Sequence, residues 1–396
     1  MLELGAVEEK TLAYWKDNGI MDKVRTRNSA GKVFYFLDGP PYVTGDLHPG
    51  HIWTKTLKDI FVRYKRARGF DVVDRAGYDV HGLPIENKVE KHLGISSKKD
   101  IEGKIGIDAF VKECRGFVER YMGRIDADYE RYGISLDFKN PYLPYTKEYI
   151  EAAWMMFKKA SDNGYLYKGK RTLIYCPHCE TPLSQGSMEV EYSDVDDPSL
   201  FLAFEIDGKR SRSGIKLDCK AYLAVWTTTP WTIPANVSIA ANPKERYVLA
   251  KVGDRHLILA KQRLDSFCEM VKESPVVISE FYGSEMEGIR YLNPLEGKIE
   301  EQRRLRKYHR IVLTDDGFVS MEYGTGLVHM APGNGIEDYL LGRKNRLPVF
   351  SPVGPDSAYT GEAGSYAGIK VPGDANKAVL HDLEVIGAVL HKGSVV

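Results

Sequence analysis

Three things are scarce in this chain. No apolar run approaches the roughly 20 residues that span a bilayer, and the first ten residues carry three glutamates where a signal peptide needs an apolar core. A cytoplasmic protein with no membrane partner is expected. Cysteine is sparse as well: the five residues form an odd set with one close pair, Cys176 and Cys179, which excludes a disulfide framework and leaves metal or redox chemistry. Charge of one sign is missing too, because 55 Lys and Arg balance 55 Asp and Glu. No global field announces a polyanion, although a local basic face could still meet one. The densest basic run, Arg303-Arg304-Leu305-Arg306-Lys307, reads as a solvated helix face. Internal repeats and low-complexity tracts are absent. What the chain does have is apolar content, 43% of 396 residues, enough for a folded protein of two domains.

Val33-Phe34-Tyr35-Phe36-Leu37 is a β-branched and aromatic run that enters a loop rich in Gly and Pro from Gly39 to Gly50. After His51, Trp53, Leu57, Ile60, Phe61 and Tyr64 recur at helical spacing, with Lys55, Lys58, Asp59 and Arg63 on the other face and Gly69 at the end. Phe70 to Asp74 reads as the next strand. This is a βαβ unit, and its ligand crevice lies beyond the carboxyl end of the first strand, where the Gly39–His51 loop sits. Phe110, Cys114, Phe117, Val118, Tyr121, Ile125 and Tyr129 then mark a long amphipathic helix, and a second runs from about Thr146 to Asn163, closed by Gly164. Cys114 lies on the buried stripe and is read as core, while Cys219 and Cys268 carry no signal. From about Tyr192 the texture changes to short β-rich runs, Leu200–Ile206, Ala221–Thr227, Tyr247–Val252 and His256–Leu259. A domain boundary is placed near residues 180–195.

The loop contains His48-Pro49-Gly50-His51 where the helix begins. Residues three apart on a first turn project to one side, and a helix start adds unpaired N–H groups and partial positive charge. Two imidazoles on such a terminus make a phosphate site, with Gly50 letting a phosphate approach the backbone. The bland alternative, two polar residues at a cap, fits a bare H-x-G-H but not one set between a strand and an amphipathic helix.

This loop resembles the first signature of class I aminoacyl-tRNA synthetases. Gly77-Tyr78-Asp79-Val80-His81-Gly82-Leu83-Pro84-Ile85-Glu86 is similar to a segment of the Ile/Val/Leu subgroup, with Tyr78 where Trp is usual. Trp226-Thr227-Thr228-Thr229-Pro230-Trp231-Thr232-Ile233-Pro234-Ala235-Asn236 resembles the threonine-rich editing segment of the isoleucyl branch, and Gly324 to Gly333 with Glu337-Asp338-Tyr339 resembles its second editing segment. The resemblance implies an α/β fold: a Rossmann-like catalytic half-domain over residues 1–190, including an N-terminal extension, and an inserted β-rich editing (CP1) domain over 191–396. It implies a ligase that uses ATP with Mg2+ to join L-isoleucine to tRNA(Ile), and that hydrolyses Val-tRNA(Ile) made with L-valine. His48, Gly50 and His51 would bind ATP, with His48 and His51 stabilising the transition state; Pro40 and Asp79 would hold the amino acid. Thr227, Thr228, Thr229, Thr232, Asn236, His329 and Asp338 would form the editing site. Physically, clustered hydroxyls can orient a water and a ribose hydroxyl, and Asp338 offers a counter-ion to an ammonium; with the resemblance, His329 is expected to limit the pocket to the smaller side chain. Strand propensity alone would also explain threonines, though not three in a row between tryptophans with a matching Asp.

Cys176-Pro177-His178-Cys179 could be a redox motif. That reading needs a helix starting at the first cysteine, and Pro182 interrupts one, so a metal knuckle on a turn is favoured. The resemblance agrees and implies half of a Zn2+ site, with His391 the first further candidate. Lys-Met-Ser-Lys-Ser, the family's second ATP signature, does not occur in the 396 residues, and Ser96-Ser97-Lys98-Lys99 is misplaced to replace it. The expectation is an amino-terminal portion, a monomer, competent alone for editing only. Two alternatives are kept: a small-molecule nucleotidylyltransferase, which shares H-x-G-H, and a non-catalytic tRNA-binding module.

Overall fold

Residues 3–184, 193–209, 211, 213–215, 217–314 and 317–395 are described by the computed structural model. Gln185 and Gly186, which follow the cysteine turn, and Tyr192, where the texture changes, lie outside the described residues. The chain divides between Lys168 and Gly169 into two compact units. Among the described residues no helix is long and apolar enough to cross a membrane.

In the first unit, α1 (Leu4–Asp17) and α2 (Ile20–Thr26) precede β1 (Val33–Leu37). β1 pairs in parallel with β2 (Asp71–Arg75), Val33 opposite Asp71 and Leu37 opposite Arg75, and α3 (Pro49–Ala67) connects them. This is the expected βαβ unit, and Gly69, at φ +84°, follows the helix as its spacing predicted. There follow α4 (Leu83–Leu93), the short α5 (Lys98–Asp100), α6 (Ile107–Arg131) and α7 (Lys147–Asp162). α6 carries Val118, Ile125 and Tyr129 into a core with Val62, Val72, Ile85 and Leu136, in agreement with its periodicity. Cys114 packs beside them, and burial pushes its thiol up to about 11, that of an inert core cysteine. The hydroxyl of Thr146 caps α7 by accepting from the Tyr149 N–H at 3.4 Å.

The orientation of α3 is the reverse of the expectation. Trp53, Leu57, Ile60, Phe61 and Tyr64 are all more than half exposed or close to it, and the helix buries Lys55, Asp59, Val62 and Arg66 instead. Each buried charge has a partner from another element. Lys55 meets the buried carboxylate of Asp38, which also takes Lys58 at 2.7 Å. Arg66 meets Asp74 of β2 at 2.5 Å and the Ser135 hydroxyl at 3.0 Å, and Asp59 accepts from the Ser135 N–H at 2.8 Å. Removing one member of such a set leaves an uncompensated charge, a loss of about 3–5 kcal/mol. The helix is therefore docked by matched charges, and its apolar stripe lies on the outside together with Val33, Tyr35 and Leu37 of β1.

In the second unit, a small hairpin pairs β3 (Tyr175–Cys176) with β4 (Thr181–Pro182). A larger mixed sheet, nine-stranded among the described residues, contains β5 (Asp197–Glu205), β6 (Ala221–Thr227), β7 (Ser238–Ala241), β8 (Arg246–Val252) and β9 (Arg255–Ala260). After α8 (Leu264–Val271) come β10 (Pro275–Tyr282), α9 (Glu300–Leu305), β11 (Ile311–Leu313), β12 (Leu327–Met330), α10 (Ile336–Lys344), α11 (Gly373–Val385) and β13 (Val389–Val395). The strand order is β10-β8-β9-β6-β12-β7-β11, with β5 pairing both β6 and β13. One face covers Leu202, Phe204, Leu223, Val225 and Ile258, closed by Val379 and Leu383 of α11. The β-rich texture read from the sequence is this sheet. The basic run at 303–307 is only partly a solvated face: Arg304 pairs with Glu300 and Glu301 on α9, whereas Leu305 is buried and Arg306 ties to Glu296.

Candidate functional site

His48 is the N-cap of α3, in extended backbone at φ −116° and ψ 166°. Its Nδ1 accepts from the Gly50 N–H at 3.1 Å, and its own N–H donates to His51 Nδ1 at 3.5 Å, closing a reciprocal capping box. The two rings stack with centroids 3.7 Å apart. Because both Nδ1 atoms accept, each neutral ring carries its proton on Nε2. The expectation of bare N–H groups at this terminus needs correcting: Pro49 has none, Gly50 donates to His48, and the His51 N–H bonds the His48 carbonyl at 2.9 Å. The terminus thus presents two stacked imidazoles rather than free backbone N–H groups. Gly50 also has a second role, since a Cβ at that position would lie 2.9 Å from the His48 ring. Partial burial holds His51 below the ordinary imidazole range, with His48 and Lys55 adding repulsion, which favours its neutral form.

Asp79 is fixed next to the proline turn by backbone: its N–H donates to the Pro41 carbonyl at 2.8 Å, and its carbonyl accepts from Val43 at 3.0 Å. Pro40 and Asp79 thus line one cleft of about 530 Å³ with His81, Tyr142, Trp154 and Phe157. Gly77 permits the close approach of Tyr142, whose ring would lie 2.1 Å from a Cβ there. Tyr78 is buried, as an aromatic at that position should be, and its hydroxyl finds Asp126. Sequence reasoning passed over Tyr142, Trp154 and the buried Asp38. A lone Asp in a glycine-rich loop gives no sign that two lysines will converge on it.

Cys176 ends β3 and Cys179 lies in the β3–β4 turn, its N–H donating to Cys176 Sγ at 3.5 Å. A knuckle on a hairpin, rather than a redox helix, is what the position of Pro182 suggested. No group of three His, Cys, Asp or Glu side chains among the described residues could hold a metal, and His391 instead packs on β13 against Phe201. Two thiolates do not fit the four-ligand set that structural zinc takes.

The threonine segment ends β6 and enters a 3₁₀ turn, Pro230–Ala235. Thr227, Thr228, Thr229 and Thr232 line a cavity of about 270 Å³, facing His329 of β12 and Asp338 of α10. Gly324, at φ +69°, lets the Trp226 ring seat, because a Cβ would stand 2.8 Å from it. Three of the four hydroxyls are committed: Thr232 donates to the Thr229 carbonyl at 2.7 Å, Thr229 lies 2.9 Å from Thr232, and Thr227 accepts from the Thr229 N–H at 3.1 Å. Thr228 alone has no side-chain hydrogen bond within the protein among the described residues, so its hydroxyl is available to a water or a ligand. His329 is buried, and burial lowers its imidazole to about 3. Asp338 accepts from the Ala331 N–H at 2.7 Å, and burial lifts its carboxyl to about 6. Asn236 does not line the cavity; it stands behind His329 and bonds its Nδ1 at 2.8 Å. Asn334, which sequence reasoning missed, also lines the cavity, and its buried Oδ1 has no partner among the described residues.

Residues 10–332 match the family model described as tRNA synthetases class I (I, L, M and V). The chain belongs to this family. It is 41% identical to the isoleucine–tRNA ligase of Pyrococcus horikoshii over 99% of this chain and 36% of that protein. The ligases of the same name from Methanothrix thermoacetophila and Methanocaldococcus jannaschii are 41% and 36% identical, each over 98% of this chain. This class I synthetase chain spans little more than a third of the length of the curated relatives it matches.

Proposed function

We propose that this chain carries two sites of an isoleucine–tRNA ligase: the phosphate and amino-acid half of the activating site in residues 1–190, and a complete hydrolytic site for Val-tRNA(Ile) in residues 191–396. In the whole enzyme the carboxylate of isoleucine attacks the α-phosphate of ATP, releasing pyrophosphate, and the 3′-terminal adenosine of the tRNA takes the acyl group. Mg2+ travels with the triphosphate. The Nε2–H donors of His48 and His51 stabilise charge developing on phosphate, which is electrostatic rather than covalent work. Asp79 anchors the α-ammonium, with Pro40 beside it. One methylene in an apolar pocket is worth only about 1–3 kcal/mol, a limit already known for isoleucine against valine, so a second sieve removes the smaller product.

In the second site the ester is already activated. Thr228 orients the attacking water, Asp338 holds the ammonium, and His329 forms the wall that excludes isoleucine. The water adds to the ester carbonyl, the tRNA hydroxyl leaves, and valine is released. The observation that carries this reading is the convergence of both editing segments on one cavity around Thr228, His329 and Asp338. The cysteine pair is read as half of a zinc site and takes part in no step. Release of valine from Val-tRNA(Ile) separates an enzyme from a tRNA-binding module. Isoleucine-dependent ATP–pyrophosphate exchange by the full-length ligase, lost in His48→Asn, separates a synthetase from a nucleotidylyltransferase.

A further inference from the structure

Behind the cavity wall runs a chain of buried polar groups, of which only His329 enters the proposed chemistry. Tyr291, 1% exposed, donates its hydroxyl to Asn236 Oδ1 at 2.7 Å. Asn236, wholly buried, turns its amide nitrogen to the Ser238 carbonyl at 3.0 Å and to His329 Nδ1 at 2.8 Å. His329 Nε2 then meets the Thr232 hydroxyl at 2.8 Å. The His309 ring stacks on Tyr291, with centroids 5.2 Å apart and planes 12° from parallel.

The direction of every hydrogen bond in this chain is determined. The Ser238 carbonyl can only accept, so the Asn236 atom facing it is the NH2 group. The Tyr291 hydroxyl agrees, since it donates to the opposite atom, the amide oxygen. The two amide hydrogens go to the nearer acceptors, the Ser238 carbonyl and His329 Nδ1, with the Met330 carbonyl farther off at 3.5 Å, and Nδ1, facing an NH2 group, must accept. The ring proton is therefore on Nε2. Thr232 closes the series: its hydroxyl hydrogen goes to the Thr229 carbonyl, leaving an oxygen lone pair for the His329 Nε2–H.

We infer that Tyr291 is a specificity-determining positioning residue, which acts through Asn236 to lock His329 as a rigid, neutral, Nε2-protonated wall of the hydrolytic cavity. Both ring nitrogens of His329 are occupied, so the ring can neither take a proton from the attacking water nor swing out of the way of a larger side chain. Discrimination comes from that immobility. Without Tyr291 the Asn236 amide oxygen keeps only the long Asn293 contact at 3.5 Å, so the amide is held less tightly, Nδ1 of His329 loses its fixed donor, and the cavity admits the extra methylene. This inference rests on the hydrolytic reading above for its kinetic consequence, whereas the tautomer follows from the hydrogen bonds alone.

The test uses the full 396-residue chain labelled with 15N-histidine, with His329 identified by its loss in His329→Ala. Long-range 1H–15N correlation should report Nε2 protonated and Nδ1 bare from pH 5 to 8. Asn236→Asp places a carboxylate against Nδ1 and should move the proton to that atom. Tyr291→Phe removes one net hydrogen bond of about 1 kcal/mol and should raise isoleucine release from Ile-tRNA(Ile), relative to valine release, by about fivefold. A wild-type ring protonated on Nδ1 overturns the lock. So does a pair of results in which Asn236→Asp leaves the proton on Nε2 and Tyr291→Phe leaves the ratio within twofold of wild type. If the wild-type chain releases neither amino acid, the hydrolytic reading fails, and the spectra still decide the lock.

Discussion

Asp338→Asn should produce a chain that is more stable than wild type at neutral pH and impaired in editing. Asp338 stands in the first turn of α10, and its Oδ2 takes the Ala331 N–H at 2.7 Å. Burial raises its carboxyl from 3.8 to about 6; the Ala331 bond opposes the rise and Glu337 adds to it. Since each step of one in pKa is worth 1.36 kcal/mol, carrying the charge at pH 7 costs the fold about 3 kcal/mol. Below about pH 3 the group is neutral in both folded and unfolded chains and the cost vanishes. As pH rises from there, the unfolded chain ionises first, so stability is lost up to about pH 6 and is level beyond it. Asparagine keeps an oxygen for Ala331 and never carries the charge. Denaturation midpoints should therefore coincide near pH 3 and favour the variant at pH 7 by up to about 3 kcal/mol. Its deacylation of Val-tRNA(Ile) should meanwhile fall roughly 10- to 150-fold in kcat/KM, the worth of a charged hydrogen bond of about 1.5–3 kcal/mol. Equal deacylation by the two chains, or a stability difference that does not change between pH 3 and 7, would refute the reasoning.

His329→Ala opens the cavity wall and should bring new hydrolysis of Ile-tRNA(Ile), measured as release of labelled isoleucine; no gain there would remove His329 from the sieve. Lys55→Ala takes away the buried partner of Asp38, and urea denaturation should show a loss of about 3 kcal/mol or more, partly offset by Lys58. Gly50→Ala sets a methyl against the His48 ring, so the cap should open and the chain lose about 1 kcal/mol in the same assay. Metal analysis after dialysis against a mild chelator should find less than one zinc per chain, because two thiolates fall short of the roughly 10–16 kcal/mol of a complete site; one tightly held zinc would show that other ligands exist.

Motif positions were legible in the sequence because local geometry decides them. His48 and His51 are three apart on a first turn and stack as that spacing allows, and the Cys176–Cys179 segment lies in a hairpin rather than on the helix that Pro182 argued against. The threonines meet His329 and Asp338, about a hundred residues away, where resemblance rather than spacing carried the expectation. The orientation of α3 was not legible. A hydrophobicity pattern assumes that charge faces water, and here Asp38, Asp74 and Ser135 supply partners that make the charged face the buried one. The direction of those partners is a property of the folded loop, not of the helix sequence. The same holds for the helix start, whose N–H groups are taken up by the histidines expected to stand beside them.

The most direct test of the central claim compares the release of labelled valine from Val-tRNA(Ile) with that of labelled isoleucine from Ile-tRNA(Ile), using the 396-residue chain at concentrations high enough to offset weak tRNA binding. The expected result is valine release well above the uncatalysed rate, falling as pH drops through about 6 as Asp338 is protonated, with isoleucine left on its tRNA. Release of both amino acids at the same rate, or of neither above background, would contradict the assignment of the second site.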